Sequence, residues 1–212
     1  MKQLFFSIGI VFFSFFPLWA DEYITPLRED LSVPSQCLEP RLEDFQLKNI
    51  EFFTYSIRSA KEKGFSREFP ITRKDAHALW VVLDQIGHHG ASERVWAQKY
   101  ITGKPDLRHL RDLLLKEKDR RGFDFGSEGD VLELISLMDL KKQYPEPFFF
   151  ITSSYMYHEP HEYRAVGELD VIIGQATNCQ VISVGEVKLG LHRLPKAKQQ
   201  LRRFMLFLKK HH

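Results

Sequence analysis

The sequence predicts an α/β protein with an N-terminal helical extension, and three observations support that prediction. Its 212 residues are 43% hydrophobic and 27% charged, a globular composition that excludes disordered and collagen-like chains. Apolar residues recur at helical spacing through residues 39–118, whereas residues 148–189 have the aromatic and β-branched composition of strands. The formal net charge is only +2, so contact with nucleic acid would need local clusters of basic residues.

Residues 1–20 have the pattern of a secretory signal peptide. Leu4–Phe16 is an apolar stretch of thirteen residues, and Ala20 supplies a small residue at which cleavage would occur. The alternative is a membrane anchor formed by residues 4–20, although a spanning helix needs roughly 20 apolar residues. We expect export to a periplasm or out of the cell. Disulfides form in such compartments, but the sequence leaves open whether Cys37 pairs with Cys179.

The region 21–121 carries the signals of several helices. Thr72, followed three residues later by Asp75, has the pattern of a capping box that opens a helix. Pro105 suits the first turn of another helix. We predict helices, in order, over residues 39–63, 73–86, 94–100 and 105–118.

Residues 122–212 carry the pattern of a small mixed sheet with a helix before it and a helix after it. Glycines and prolines separate the segments, and the apolar spacing changes from helical to strand-like and back. We predict a helix over 130–144, strands over 148–157, 163–173 and 180–189, and a last helix over 195–208.

Two of these strands carry charged residues among apolar neighbours. Glu186 and Lys188 alternate with Val187, so both point to one face of their strand while Val187 points into the core. If the strands are hairpin partners, Asp170 meets Glu186. Buried carboxylates that repel each other are satisfied by a hard divalent cation or by an ion pair.

The segments GELDVII (167–173) and GEVKLG (185–190) resemble the two central strands of the PD-(D/E)XK nuclease superfamily, in the style of its Holliday-junction resolvase-like members. The resemblance covers residues 122–208. It implies a restriction-endonuclease-like core of helix, three-stranded mixed sheet and helix. Leu169 stands where many members have proline, and no segment after the last helix matches the fourth strand of the family.

Asp170, Glu186 and Lys188 match the D…ExK signature residue by residue. The resemblance implies hydrolysis of DNA phosphodiesters with Mg²⁺ or Mn²⁺, which Asp170, Glu186 and the carbonyl of Val187 would bind. Lys188 would orient or deprotonate the attacking water. The alternative is a buried salt bridge between Lys188 and a carboxylate in an inactive protein.

Two helix residues extend the match. Glu133 resembles the glutamate that family members often carry in the preceding helix, and the resemblance makes it a third candidate metal ligand, with Glu128 as the alternative. Gln200 and Phe204 match the Gln-x-x-x-aromatic pattern of the following helix, so Gln200 would position Lys188 or a phosphate.

Basic residues cluster after Glu186 and no acidic residue follows it. Such a cluster suits contact with a nucleic-acid backbone, and a solvated helix face is the alternative. The candidates for phosphate contact are Arg193, Lys196, Lys198, Arg202 and Arg203.

The sequence thus predicts an exported metal-dependent nuclease that acts on DNA. The alternative function is a catalytically inactive exported binding or scaffold module that keeps the fold. The choice between DNA and RNA, endonucleolytic or exonucleolytic action, and the oligomeric state stay open.

Overall fold

A computed structural model describes residues 24–38, 49–57, 71–160, 162 and 164–211, which adopt a mixed α/β fold with two sheets. The strands are β1 (Ile24–Pro26), β2 (Glu51–Ile57), β3 (Phe149–Thr152), β4 (Tyr155–His158), β5 (Ala165–Leu169), β6 (Val171–Gln175) and β7 (Val181–Leu189). The helices are α1 (Arg73–Leu83), α2 (Ala91–Thr102), α3 (Pro105–Arg121), α4 (Glu128–Leu140) and α5 (Leu194–His211), with short 3₁₀ turns at Ser35–Cys37 and Leu191–Arg193.

The larger sheet is mixed and has the strand order β2-β7-β6-β3. β2 runs parallel to β7, whereas β6 is antiparallel to both of its neighbours. Alternation along β6 sends Val171 and Ile173 into a core shared with α1–α4, and Ile172 into a second core shared with α5. Both faces are therefore covered, which explains why β6 and β7 are apolar along most of their length.

The second sheet has the order β1-β4-β5 and is antiparallel. The segments predicted as single strands over 148–157 and 163–173 are each divided between the two sheets. The first divides at Ser153 and Ser154, where Ser154 has a φ of 60°. The second divides at Asp170, between β5 and β6. Asp170 and the serine pair therefore lie where the chain passes from one sheet to the other.

The helix predicted over 39–63 is wrong for residues 51–57, which form β2. All seven residues of β2 pair with β7, from Glu51 opposite Ser183 to Ile57 opposite Leu189. The pairing with a distant strand overrides the weak helical spacing, because Phe52, Phe53 and Tyr55 suit a strand equally well. Residues 39–48 and 58–63 lie outside the described residues, as does the predicted signal peptide.

The predicted three-stranded sheet is therefore corrected to four strands, with β2 supplying an edge strand from before the helices. The region 21–121 is accordingly not purely helical, since it contains β1, a strand of the smaller sheet, and β2, a strand of the larger sheet. Two helices start where the sequence predicts. Thr72 forms the predicted capping box with Asp75 at the start of α1, and Pro105 begins α3. α1 ends at Leu83, and Ile86, which the helical prediction had included, is 71% exposed.

The N-terminal segment 24–38 is joined to the rest of the fold at several points. Cys37 forms a disulfide with Cys179, which settles their pairing in this structure. The buried Arg121 forms an ion pair with Asp30. Within the described residues, no helix is both long and apolar enough to cross a bilayer.

Candidate active site

Three charged side chains converge where β6 begins and β7 approaches its C-terminal end. Val171 lies opposite Gly185 in this pair of strands, so Asp170, directly before β6, comes beside Glu186. Lys188 Nζ lies 2.8 Å from Asp170 Oδ2 and 2.9 Å from Glu186 Oε2. The Val187 backbone N–H also donates to Asp170 Oδ2, at 2.8 Å. The structure thus brings together the Asp170, Glu186 and Lys188 of the motif.

The Lys188 ammonium is hydrogen-bonded to both carboxylates of this cluster, but it does not offset the burial of Glu186 and the repulsion between Glu186 and Asp170. The Glu186 side chain is 1% exposed. Burial, followed by repulsion from Asp170, raises the pKa of Glu186 to about 8. Burial alone would lower the pKa of Lys188, but Asp170 and Glu186 outweigh it and raise that pKa. Glu186 Oε1 is buried and accepts no hydrogen bond, and a hydrogen bond between the Glu186 and Asp170 carboxyl groups contributes to the raised pKa of Glu186.

Glu133 lies on α4 and approaches the cluster on the side of Asp170. Its carboxylate Oε2 accepts a hydrogen bond of 3.0 Å from the Ser154 hydroxyl. Burial, followed by repulsion from Asp170 and Asp130, raises the pKa of Glu133 well above its ordinary value. The charge of Asp170 therefore acts on both Glu186 and Glu133.

The alternative helix glutamate, Glu128, points elsewhere. It lies at the start of α4, where its carboxylate is 2.9 Å from His77 Nδ1 and 3.3 Å from Arg73 Nε. Of the two glutamates, Glu133 is the one that interacts with the Asp170 cluster.

Several residues near the cluster were not found by the sequence reasoning. Arg28 donates to Asp130 Oδ1 at 2.7 Å and to the Ser154 hydroxyl. Partial loss of hydration, followed by repulsion from Asp170 and Asp130, raises the pKa of Glu168, although part of this residue is exposed at the surface. Glu168 stands within the GELD motif, so the sequence carried a signal for it. Arg28 and Ser154 lie in an irregular segment and at a strand break, where no periodic pattern marks them.

Gln200 and the basic candidates lie on or just before α5. Gln200 is half-buried, and its Oε1 is a buried atom without a hydrogen-bond partner. Arg203 interacts with the Tyr157 hydroxyl, which ties one basic candidate to the second core. Exposed side chains are found at all five basic positions, namely Arg193, Lys196, Lys198, Arg202 and Arg203.

Two cavities among the described helices are separate from this cluster. One of about 840 Å³ lies between α1 and α2, and one of about 360 Å³ lies at the start of α3. The Lys188 side chain, by contrast, is 18% exposed at the end of β7.

The carboxylate oxygens of the cluster are the atoms that would bind a divalent cation. In the part of the chain that the structure describes, no three His, Cys, Asp or Glu side chains lie close enough together to hold one ion. Asp170 and Glu186 instead share the Lys188 ammonium, which occupies the place of a cation between them. Glu186 Oε1, which accepts no hydrogen bond, and the buried Glu133 carboxyl are oxygen ligands of the kind that Mg²⁺ and Mn²⁺ prefer. The residue types therefore fit a hard cation once Lys188 moves aside.

Comparisons with known proteins give no further guide. No family model matches the chain, and neither a curated protein nor a solved structure matches it. The family resemblance consequently depends on the motif residues themselves and on their order along the chain.

Proposed function

We propose that this protein is a metal-dependent nuclease of the PD-(D/E)XK type that hydrolyses phosphodiester bonds of DNA. The observation that carries the proposal is the convergence of Asp170, Glu186 and Lys188 on two adjacent strands, in the order and spacing of the D…ExK motif. The sequence of elements α4, β3, β6, β7 and α5 is consistent with a restriction-endonuclease-like core. β2 would complete its sheet as the fourth strand.

Each residue of the cluster has a role in this proposal. Asp170, Glu186 and Glu133 do not lie close enough together in the structure to hold one ion, so they would have to close around Mg²⁺ or Mn²⁺ for it to bind. The bound ion would supply Lewis-acid stabilisation of phosphate charge and a nucleophile at neutral pH. The Val187 N–H fixes the orientation of Asp170. Lys188, released from the two carboxylates, would orient the attacking water or donate to a phosphate oxygen. Gln200 would position Lys188 through its Oε1, which accepts no hydrogen bond in the structure, or the phosphate through its amide N–H groups.

The energetics of the cluster favour a functional origin. Burial and mutual repulsion raise the pKa values of Glu133 and Glu186, so the folded protein opposes ionisation of two carboxyl groups that are charged in the unfolded chain, which destabilises the fold at neutral pH unless a cation binds there. Ionisable groups with strongly shifted pKa values cluster at functional sites for this reason.

The substrate and the location follow from two further features. Exposed basic residues on α5 would contact the DNA backbone. The Cys37–Cys179 disulfide is of the kind that persists in oxidising compartments, which supports export of the protein after removal of residues 1–20.

One observation favours the second candidate function, an inactive exported binding or scaffold module. Lys188 already contacts both carboxylates at hydrogen-bond distance, as a structural salt bridge would. In that case the cluster would support the fold and would have no affinity for divalent cations.

The test is cleavage of linear and circular DNA by residues 21–212, with the disulfide formed, in Mg²⁺ or Mn²⁺. Asp170→Asn and Lys188→Met should each abolish cleavage and stay folded. Glu51→Gln, which removes an exposed carboxylate at the start of β2, is the matched control and should cleave normally. Loss of linear DNA alone would indicate an exonuclease. Cleavage that survives both site variants would contradict the proposal, and no cleavage together with no metal binding would favour the scaffold module.

A further inference from the structure

The N-terminal segment 24–38 reaches the candidate site from outside the proposed core. β1 pairs with β4, and the Leu27 N–H donates to the Ser154 carbonyl at 2.8 Å, which continues that pairing to the strand break. Beyond Arg28, the segment is held by the Asp30–Arg121 ion pair and by the Cys37–Cys179 disulfide. Arg28 is therefore fixed between two anchored stretches of backbone.

The Arg28 guanidinium is immobilised on several sides. It donates to Asp130 Oδ1 at 2.7 Å and to the Asp124 carbonyl at 3.0 Å, and it also donates to the Ser154 hydroxyl. The guanidinium carbon lies 4.8 Å from the centre of the Phe123 ring. Only 18% of the side chain is exposed. Such an arginine is part of a built arrangement and not a solvated surface charge.

The Ser154 hydroxyl connects Arg28 to Glu133. Because arginine can only donate, the Ser154 oxygen accepts from Arg28 and its single proton is directed to Glu133 Oε2, 3.0 Å away. Ser154 is fully buried and has a φ of 60°, a backbone conformation that residues with a side chain rarely adopt. Leu27 and Arg28 both contact Ser154, through its carbonyl and its hydroxyl respectively.

We propose that Arg28 is a positioning residue of the metal site, which orients the Glu133 carboxylate through the Ser154 hydroxyl. The inference rests on the proposed function, because it assigns Glu133 to a cation. It also gives the N-terminal segment a role in the site, although that segment lies outside residues 122–212. Partners that orient a metal ligand in this way typically change metal affinity by about 10- to 100-fold when they are removed.

The test is the affinity of the purified disulfide-bonded protein for Mn²⁺, measured by calorimetry at one fixed pH. Arg28→Gln should weaken binding by at least about 10-fold. In a Glu133→Gln background the same exchange should have no further effect, because the residue through which Arg28 acts is gone. Arg28→Lys keeps a charged donor and should recover part of the affinity. Arg73→Gln, which removes an exposed arginine that pairs with Glu128 on the same helix, is the control and should bind Mn²⁺ like the wild type.

A structural effect is separated from a positioning effect by a second variant. Ser154→Ala leaves the Arg28–Asp130 ion pair in place and removes only the hydroxyl, so it should also weaken Mn²⁺ binding. Its melting temperature should fall because Arg28 and Glu133 each lose a buried hydrogen bond, but the protein should remain fully folded at the temperature of the binding measurement. Unchanged affinity in folded Arg28→Gln or in Ser154→Ala would overturn the inference. So would an Arg28→Gln effect that is equally large without Glu133. If Mn²⁺ does not bind the wild type, or binds regardless of Asp170→Asn, the proposed function itself fails.

Discussion

The exchange Glu186→Gln should stabilise the metal-free protein while it removes a proposed metal ligand. The Glu186 side chain is 1% exposed, lies beside Asp170 and shares Lys188 with it. A glutamine has nearly the same shape and still offers an oxygen to Lys188, but it carries no charge. The exchange therefore removes a group whose ionisation the folded state opposes, and it does so without opening a cavity.

The size of the effect follows from the pKa of Glu186. Burial and repulsion from Asp170 raise that pKa from 4.5 to about 8 in the folded protein. Below pH 4.5 the group is protonated in both the folded and the unfolded state, so it has no effect on stability. As the pH rises towards 8, ionisation favours the unfolded chain, and at pH 7 the resulting destabilisation is about 3 kcal/mol. Glu186→Gln should recover up to that amount.

The assay is urea unfolding with the disulfide intact and with a chelator present, at several pH values from 4.5 to 8. The stability gain of the variant over the wild type should be small at the acidic end and largest at the alkaline end. In a second series without chelator, added Mg²⁺ should stabilise the wild type and not the variant. The difference in free energy of unfolding between the two proteins should then become smaller.

Glu117→Gln is a matched control with the opposite sign. Burial would raise the pKa of Glu117, but hydrogen bonds from Arg120 and Lys141 outweigh it and lower the pKa to about 2. Its stabilisation is present above pH 4.5 and is lost as the pH falls towards 2, so the exchange should remove about 3 kcal/mol at pH 7. If Glu186→Gln also proves less stable than the wild type at pH 7, Glu186 is a structural partner of Lys188 and the reasoning is refuted.

Two further predictions concern other parts of the molecule. Replacing both Cys37 and Cys179 by serine removes a link between residues separated by 142 positions, which should lower the free energy of unfolding by about 5 kcal/mol in the chain-entropy description; an unchanged urea midpoint would contradict this. Replacing Lys196 and Lys198 by alanine in the Asp170→Asn protein should weaken DNA binding and reduce its salt dependence by about 0.9 in log–log slope per lost phosphate contact. Fluorescence anisotropy at several salt concentrations measures this slope, and a slope that does not change would remove these lysines from the interface.

The features that depend on residues close together in the sequence could be predicted. Thr72 and Asp75 form the predicted capping box, and Pro105 begins α3. The alternation of Glu186, Val187 and Lys188 on β7 was sufficient to predict that the two charged side chains share a face.

Features that depend on distant contacts could not be predicted in the same way. β2 is a strand because β7 pairs with it, and its own residues do not distinguish a strand from a short helix. The division of the strands at Ser154 and Asp170 follows from the passage of the chain between two sheets. Arg28 enters the site through the β1–β4 pairing, the Asp30 ion pair and the disulfide, and none of these can be read from local spacing.

The central claim is that Glu186 serves a cation-dependent reaction and not the stability of the fold. The most direct measurement is Mg²⁺-dependent cleavage of circular DNA by the wild type and by Glu186→Gln, with unfolding curves recorded on the same preparations. We predict that the wild type cleaves and that the variant does not, although the variant is the more stable of the two without metal. A variant that cleaves as fast as the wild type, or a wild type that is inactive and gains no stability from Mg²⁺, would contradict the claim.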